Sequence, residues 1–162
     1  MLVGILSDSH GRSLLVRKAL ALFDSLGASY VIHCGDVGGE PVFDELVGRA
    51  CTFVWGNCDV PTAGLLEYLN SVGLPLPSAT PAILSLDGAR LAVLHGHETQ
   101  FARATSDLHV DYLLHGHTHV RRDERVGGMR VINPGALHRA SPKTVATLDL
   151  RTDELRFHEI KT

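Results

Sequence analysis

The chain has 162 residues, of which 44% are hydrophobic and 20% charged, a balance typical of a globular protein and unlike a disordered one. Its net charge is −3 with neutral histidines and its charges are mixed along the chain, so the sequence shows no strong nucleic-acid-binding patch. Its apolar runs are shorter than a membrane span, and the N-terminus lacks the basic lead-in of a signal peptide. We expect a single domain over residues 1–162 with no membrane association.

The number and spacing of the cysteines indicate the redox state of the cellular compartment. Cys34, Cys51 and Cys58 are odd in number and lack a CxxC spacing. This pattern favours reduced thiols and a cytoplasmic protein. The sequence is compatible with a homo-oligomer. Its most unusual feature is the count of ten histidines.

The first half of the chain alternates strands and helices. Strands are predicted at 2–6, 30–34 and 51–55, where short apolar or β-branched runs occur. Between and after them, helical patterns are predicted at 13–27, 41–50 and 62–73. The first of these helices places Leu15, Ala19, Leu22 and Leu26 on one face and ends at Gly27.

The second half is richer in strands. Runs at 82–86 and 90–94 flank an Asp-Gly turn and predict a hairpin. A weaker helical pattern at 99–109 precedes strands predicted at 111–115, 129–133, 144–150 and 154–160. Alternation followed by hairpins predicts an α/β domain with one mixed sheet or two packed sheets.

Side chains of metal-ligand type follow the predicted strands. Ligands of open α/β sheets collect beyond the carboxyl ends of strands. Each fragment alone could be ordinary turn chemistry, but five of them at successive strand ends predict a metal centre. The residues, in chain order, are Asp8 and His10, Asp36, Asn57 and Asp59, His95 and His97, and His117 and His119.

The segment "HGHTH" has a rival interpretation. His115 and His119 are four residues apart, the spacing of a helical zinc pair. Gly116 and the β-branched Thr118 disfavour a helix there. We therefore expect His117 and His119 to be ligands, and His115, like His33, to form the wall of the site or support a ligand.

In order and residue type, these motifs resemble those of the calcineurin-like metallophosphoesterase superfamily. The segments "GNCD", "HGH" and "NPGA" are similar to its small single-domain bacterial and archaeal phosphodiesterase branch. The likeness runs from residue 2 to about 150. It implies an α/β four-layer sandwich, in which two mixed β-sheets are flanked by helices and the metal site lies at the carboxyl ends of strands.

The resemblance implies two divalent metal ions with Asp36 as their bridge. One ion would be held by Asp8, His10, Asp36 and His119, and the other by Asp36, Asn57, His95 and His117. Oxygen and imidazole ligands favour Mn²⁺, with Fe, Zn²⁺ or Ni²⁺ as alternatives. A hydroxide activated by both ions would attack the phosphorus of a phosphodiester.

Five residues carry expected roles in catalysis or substrate binding beside the metal ions. Many superfamily members have histidine where this chain has Cys58, and that histidine is commonly assigned as the acid for the leaving group. With a thiol in its place, either another group is the acid, with His97 the nearest candidate, or the leaving group of the substrate needs little help. Asp59 either orients that acid or caps the turn. Asn57 could also donate to a phosphate oxygen, and Arg12 and Arg139 are candidate phosphate contacts.

The remaining polar residues near the motifs are expected to be structural. Asn133 and Gly135, in "INPGALHR", would shape a loop near the site. His109, His138 and His158 are interpreted as ordinary surface or packed histidines.

Three functions remain open at this point. The favoured one is hydrolysis of a small-molecule or nucleotide phosphodiester. A phosphomonoesterase is the first alternative, because the same pair of ions serves both reactions. The second is a non-catalytic binding scaffold, since the retromer scaffold subunit shares this fold and similar loops.

Overall fold

The computed structural model describes residues 1–77 and 79–161. Within these ranges the chain forms ten strands and four helices. The strands are β1 (Leu2–Leu6), β2 (Tyr30–His33), β3 (Cys51–Phe53), β4 (Ala82–Leu86), β5 (Ala89–Val93), β6 (Tyr112–Leu114), β7 (Arg122–Val126), β8 (Met129–Asn133), β9 (Thr144–Asp149) and β10 (Glu154–Glu159). The helices are α1 (Ser13–Leu26), α2 (Glu40–Leu46), α3 (Ala63–Ser71) and α4 (Ala104–Asp107), and a 3₁₀ segment, Thr99–Arg103, leads into α4.

The strands form two mixed sheets of five. The first has the order β10-β9-β1-β2-β3, and the second has the order β4-β5-β6-β8-β7. In the first sheet β1, β2 and β3 are parallel, and in the second β5, β6 and β8 are parallel. Within each set the carboxyl ends of the strands meet at one edge, where functional sites of α/β proteins gather.

Alternation of side chains along the strands builds the layers. Val3 and Ile5 of β1 pack with Leu91 and Val93 of β5 in one buried cluster, so this cluster lies between the sheets. Residues of opposite parity, such as Leu6, pack instead against α1, α2 and α3 in a second cluster.

A third cluster covers the outer face of the second sheet. It joins Ala92 and Leu113 of the sheet to Ala104 of α4. The order is therefore helices, sheet, sheet, helix, which confirms the expected four-layer α/β sandwich of two mixed sheets. Helix α1 packs closely on the first sheet at Gly4, where an added Cβ would overlap the ring of Phe23.

Several element boundaries differ from the sequence predictions. The helix predicted over 41–50 is α2, which ends at Leu46, because Val47 leaves the helical region and Gly48 has a φ of 76°. The pattern at 99–109 divides into the 3₁₀ segment and the one-turn α4. The predicted strand 51–55 stops at Phe53, so that the chain can turn toward the site.

Strand β7 was not predicted. Its sequence, "RDERV", is charged and its burial is low because it is the edge strand of the second sheet. A strand with little buried surface carries no alternation of apolar residues to reveal it, and charges are common at sheet edges.

No helix in the part of the chain that the structure describes is long and apolar enough to cross a lipid bilayer.

Candidate metal centre

The site residues lie in the loops that follow the parallel strands. Asp8 and His10 follow β1, Asp36 follows β2, and Asn57 follows β3. In the second sheet His95 follows β5, while His117 and His119 follow β6. The two sheets face each other, so that loops from both close over the same point.

The backbone of these loops is held in an unusual conformation. Five of the predicted ligands have positive φ: Asp8 (52°), His10 (43°), Asp36 (52°), His117 (68°) and His119 (59°). Residues other than glycine seldom adopt this region, at a cost of roughly 1–3 kcal/mol each. Such strain persists only where the surrounding structure fixes it, and it clusters at functional sites.

Two glycines allow the loops to approach one another. A Cβ on Gly56 would overlap the Asp36 side chain, and a Cβ on Gly116 would overlap Ser7 and Asp8. Backbone hydrogen bonds also join the loops, with His10 N donating to the carbonyl oxygen of Asp36 at 2.9 Å. The carboxylates are therefore pressed against neighbouring loops and cannot turn away.

The first group of ligands is Asp8, His10 and His119, whose candidate ligand atoms all lie within 4.8 Å of one another. Asp8 is fully buried, and its Oδ1 lies 3.2 Å from Nε2 of His119. Its Oδ2 accepts a hydrogen bond from His117 N at 3.1 Å. Asp8 Oδ1 and His10 Nε2 are buried atoms with no hydrogen-bond partner in the structure.

Asp36 lies between this group and the next. Its Oδ2 is 3.4 Å from Nε2 of His10 and 3.4 Å from Nε2 of His95. Its Oδ1 accepts a hydrogen bond from Cys58 N at 2.8 Å. Burial alone would raise the pKa of Asp36, but this hydrogen bond and the charges of His95 and His10 outweigh it and lower the pKa.

The second group surrounds the amide oxygen of Asn57. Its Oδ1 lies 3.1 Å from Nε2 of His95 and 3.0 Å from Nδ1 of His117. Asp8 and His95 are fully buried, whereas Asn57 and His117 are exposed. The site thus extends from the interior to the surface, where a substrate can enter.

His95 shows most clearly why a cation belongs here. Its Nδ1 is 2.8 Å from the carbonyl oxygen of Cys34, and a carbonyl can only accept, so Nδ1 carries the proton. In the neutral ring, Nε2 then holds a lone pair that faces the oxygens of Asn57 and Asp36. This arrangement is repulsive unless a second proton or a metal ion lies between these atoms.

The choice between a proton and a metal ion follows from the whole set. Carboxylate, amide and imidazole groups converge from both sheets, and buried Asp8 Oδ1 and His10 Nε2 lack partners. One proton on His95 would leave these two atoms unsatisfied, at a cost that buried polar groups seldom bear. The residues present therefore fit divalent metal ions.

His97 and Asp59 lie next to the ligands. The His97 ring is exposed, with its centroid 5.4 Å from that of His95 and 6.2 Å from that of His117. The Asp59 carboxylate accepts hydrogen bonds from the backbone amides of Val37, Gly38 and Gly56, at 2.8 to 3.1 Å. Of the two roles expected for Asp59, these contacts fit the cap, which ties the loops after β2 and β3 together.

His138 lies beside His10 and close to the charges of Arg12 and Arg139. The two arginines were predicted to contact phosphate, and His138 was not. The His138 ring centroid is 4.8 Å from that of His10. Partial burial lowers the pKa of His138, and the nearby charges of His10, Arg12 and Arg139 lower it further. His138 was expected to be an ordinary histidine. Its position after β8 could have revealed it, because every parallel strand of that sheet is followed by a histidine that reaches the site.

Arg12 and Arg139 are both exposed. Arg12 immediately precedes α1, and Arg139 has a φ of 46°. Their effect on His138 places both on the His10 side of the site.

His33 and His115 are buried supports. His33 Nε2 lies 2.8 Å from Ser9 Oγ, and burial lowers the pKa of His33 to about 3. Burial likewise lowers the pKa of His115 to about 4. Asn133 donates to the carbonyl oxygen of Gly116 at 2.8 Å and accepts from Gly135 N at 2.9 Å, so it holds the loop after β6.

Comparison with known families agrees with this geometry. Residues 1–153 match the family model of the calcineurin-like phosphoesterase superfamily domain. The chain belongs to this superfamily. It is 29% identical over 161 residues to a phosphodiesterase of Methanocaldococcus jannaschii, an alignment that covers 96% of this chain and 97% of that protein. It is also 29% identical over 146 residues to the phosphodiesterase YfcE of Escherichia coli, with 81% of this chain and 76% of YfcE covered.

Solved structures show the same relationship. A structure of an archaeal phosphodiesterase superposes with a TM-score of 0.87 at 29% identity, covering 98% of this chain and 99% of that one. Vps29 of Entamoeba histolytica, solved in complex with Zn²⁺, superposes with a TM-score of 0.69 at 22% identity, covering 98% of this chain and 91% of that one. At that identity the likeness to Vps29 concerns the fold alone.

Proposed function

We propose that this chain is a binuclear metal-dependent phosphodiesterase that hydrolyses small-molecule or nucleotide phosphodiesters. The observation that carries the proposal is the position of Asp36 between the two ligand groups, within 3.4 Å of both His10 and His95, with the His95 lone pair facing the oxygens of Asn57 and Asp36. One ion would be held by Asp8, His10, Asp36 and His119, and the other by Asp36, Asn57, His95 and His117. Mn²⁺ is the favoured ion, with Fe, Zn²⁺ and Ni²⁺ as alternatives.

The protein's own groups would fix the geometry of the reaction. Bound divalent ions lower the pKa of water toward neutrality and offset negative charge on phosphoryl oxygens. The carbonyl of Cys34 orients the His95 ring, and Cys58 N orients the Asp36 carboxylate, so both ligands are held before substrate arrives. Such preorganisation removes the cost of reorientation during the reaction.

Substrate contacts would come from the exposed side of the site. The Asn57 amide nitrogen points away from the histidines, with its closest partner the Cys58 sulfur at 3.4 Å, so it can donate to a phosphate oxygen instead. Arg12 and Arg139 would attract the substrate phosphate from the His10 side. His97, exposed beside His95 and His117, would protonate the leaving group.

The three cysteines are free thiols, two of them buried. We propose on this basis that the protein works in a reducing compartment, the cytoplasm.

The proposed function is tested by restoring metals to stripped protein. Chelated protein receives Mn²⁺, Zn²⁺, Ni²⁺ or Mg²⁺ separately, and hydrolysis of bis(4-nitrophenyl) phosphate is compared with that of 4-nitrophenyl phosphate. We expect metal-restored turnover that prefers the diester. A preference for the monoester would favour a phosphomonoesterase, and metal binding without turnover of either ester would favour a binding scaffold.

A matched pair of histidine variants controls this test. His119→Asn removes a proposed ligand, whereas His109→Asn changes an exposed histidine outside the site. Only the first should abolish the restored turnover.

The role of His97 has its own signature. A general acid matters most when the leaving group is a poor one. His97→Ala should therefore slow an alkyl diester more than a nitrophenyl diester. Equal loss for both esters would contradict the assignment, and Cys58→His should improve poor leaving groups if that neighbouring position can supply an acid.

A further inference from the structure

A third group of candidate ligands shares His10 with the first group and includes Asp36, which lies between the first two groups. His10, Asp36 and Cys58 each offer one atom, and these three atoms lie within 4.8 Å of one another. Cys58 is exposed, and it is held in place because its backbone amide donates to Asp36 Oδ1 at 2.8 Å. A thiol therefore lies beside the Asp36 carboxylate, the proposed bridge.

The thiol is not an isolated cysteine on the surface. Nε2 of His10 is a buried atom without a hydrogen-bond partner, and it lies 3.4 Å from Asp36 Oδ2. Asp8 is fully buried, and its unpartnered Oδ1 belongs to the adjoining group that also contains His10. His10, whose Nε2 lacks a partner among the described residues, thus belongs both to the Cys58 group and to the adjoining Asp8 group.

We propose that Cys58 supplies a thiolate ligand when a thiophilic ion such as Cd²⁺ or Zn²⁺ binds between His10 and Asp36, and supplies none to Mn²⁺ or Mg²⁺. Soft thiolates select soft or borderline ions, whereas Mn²⁺ and Mg²⁺ prefer oxygen. Zinc lies about 2.3 Å from sulfur and about 2.0–2.2 Å from nitrogen or oxygen, so small side-chain movements would bring all three atoms onto one ion. The inference rests on the proposed metal centre.

Ligation exchanges a proton for the ion. A cysteine thiol ordinarily has a pKa of about 8.5, so without metal the protonated form predominates at neutral pH. On binding, the S–H bond breaks, the proton passes to solvent, and the sulfur lone pair forms the bond to the metal. No oxidant or reductant is involved.

One consequence is discrimination among metals. A thiophilic ion would gain a thiolate ligand and be held more tightly than the oxygen and imidazole set alone would hold it. The sulfur would then take a coordination position on the exposed side of the site, close to Asn57. We therefore expect the Cd²⁺ or Zn²⁺ form to turn over substrate more slowly than the Mn²⁺ form.

The test is spectroscopic and uses the full-length, metal-free protein. Cd²⁺ is titrated into the wild type, Cys58→Ser and Cys51→Ser, and the ultraviolet thiolate-to-cadmium charge-transfer band is recorded while bound metal is counted. We expect the band in the wild type and in Cys51→Ser but not in Cys58→Ser. We also expect Cys58→Ser to bind Cd²⁺ about tenfold more weakly or worse, with its Mn²⁺ affinity little changed.

Other results would overturn the inference in distinguishable ways. Bound Cd²⁺ without the band in the wild type, or a band that persists in Cys58→Ser, would show that Cys58 is not a ligand while leaving the metal centre intact. Failure of the wild type to bind either Cd²⁺ or Mn²⁺ would remove the proposed metal centre and this inference with it. Because Cys58 is exposed, Cys58→Ala serves as a second variant that should retain the fold.

Discussion

The two ends of the parallel strands carry charged clusters of opposite character. Near the amino ends of β6 and β8, Arg130 pairs with Asp123 and Asp153, both at 2.7 Å, and the hydroxyl of Tyr112 donates to Asp153 at 3.0 Å. At the carboxyl ends, two carboxylates meet several imidazoles, and buried Asp8 Oδ1 has no partner. One cluster satisfies its charges internally, and the other is built to receive a charge.

The backbone conformation also differs between the two clusters. The metal-centre loops hold five non-glycine residues at positive φ, and the Arg130 cluster has one, Asp153. Strain and unpaired polar atoms both cost stability, so the carboxyl end is maintained at the expense of the fold around it. We infer that the amino end mainly stabilises the molecule and the carboxyl end mainly binds.

The most severe test of this contrast is Asp36→Asn. The amide retains an oxygen that can accept from Cys58 N, so the loop should stay in place. The substitution removes the negative charge that lies between the two ligand groups. We therefore expect diester turnover to fall by about 10³-fold or more, which corresponds to about 4 kcal/mol of transition-state stabilisation. Turnover is measured with saturating Mn²⁺, alongside the free energy of unfolding of the metal-free protein.

Asp123→Asn is the matched control from the amino end. It makes the same chemical change in the Arg130 cluster and should leave turnover within about twofold of wild type, because surface substitutions away from a site act weakly. Near-normal turnover in Asp36→Asn would refute the bridging role.

Arg130→Met tests whether the cluster at the amino ends of the strands stabilises the fold. Its guanidinium side chain is 11% exposed and holds two carboxylates together. Those carboxylates are more than a third exposed, so solvent screening reduces the loss, and we expect unfolding to become easier by about 2 kcal/mol. Urea denaturation measures this. A stability equal to wild type would show that the network contributes nothing, and a large loss of turnover would show that the two ends are not independent.

The effect expected to be smallest at neutral pH is that of His33, because its contribution to stability develops only in acid. Burial lowers its folded pKa to about 3, below the value near 6.5 in the unfolded chain. As pH falls from about 6.5 toward 3, the unfolded state gains a proton that the folded state does not, so stability falls by roughly 1.4 kcal/mol per pH unit. His33→Gln should remove this contribution from the pH dependence of urea unfolding between pH 6 and 4, and an unchanged slope would contradict it.

Much of the fold was predictable because most strands bury one face or both. Apolar runs located nine of the ten described strands, and the α/β class followed from their order, whereas two sheets in place of one were implied only by the resemblance to the superfamily. β7 escaped because an exposed, charged edge strand has no apolar pattern. The lengths of α2 and α4 depend on where tertiary packing ends a helix, which local periodicity does not record.

The site was predictable to the extent that ligand-type residues follow strands. Their order along the chain identified Asp8, Asp36 and His95 as candidates, but only the folded loops reveal the distances between them. His138 was expected to be an ordinary histidine, and its approach to His10 depends on how the loop after β8 folds. The capping contacts of Asp59 depend on three amides from separate loop positions, which no sequence pattern encodes.

The central claim is that two divalent ions share Asp36, and a metal count tests it most directly. Wild type and Asp36→Asn are saturated with Mn²⁺, freed of unbound metal, and analysed by mass spectrometry of metal content per chain. The account predicts two ions per wild-type chain and weakened binding of both in Asp36→Asn. A single ion per wild-type chain, or two ions held equally well by the variant, would contradict it.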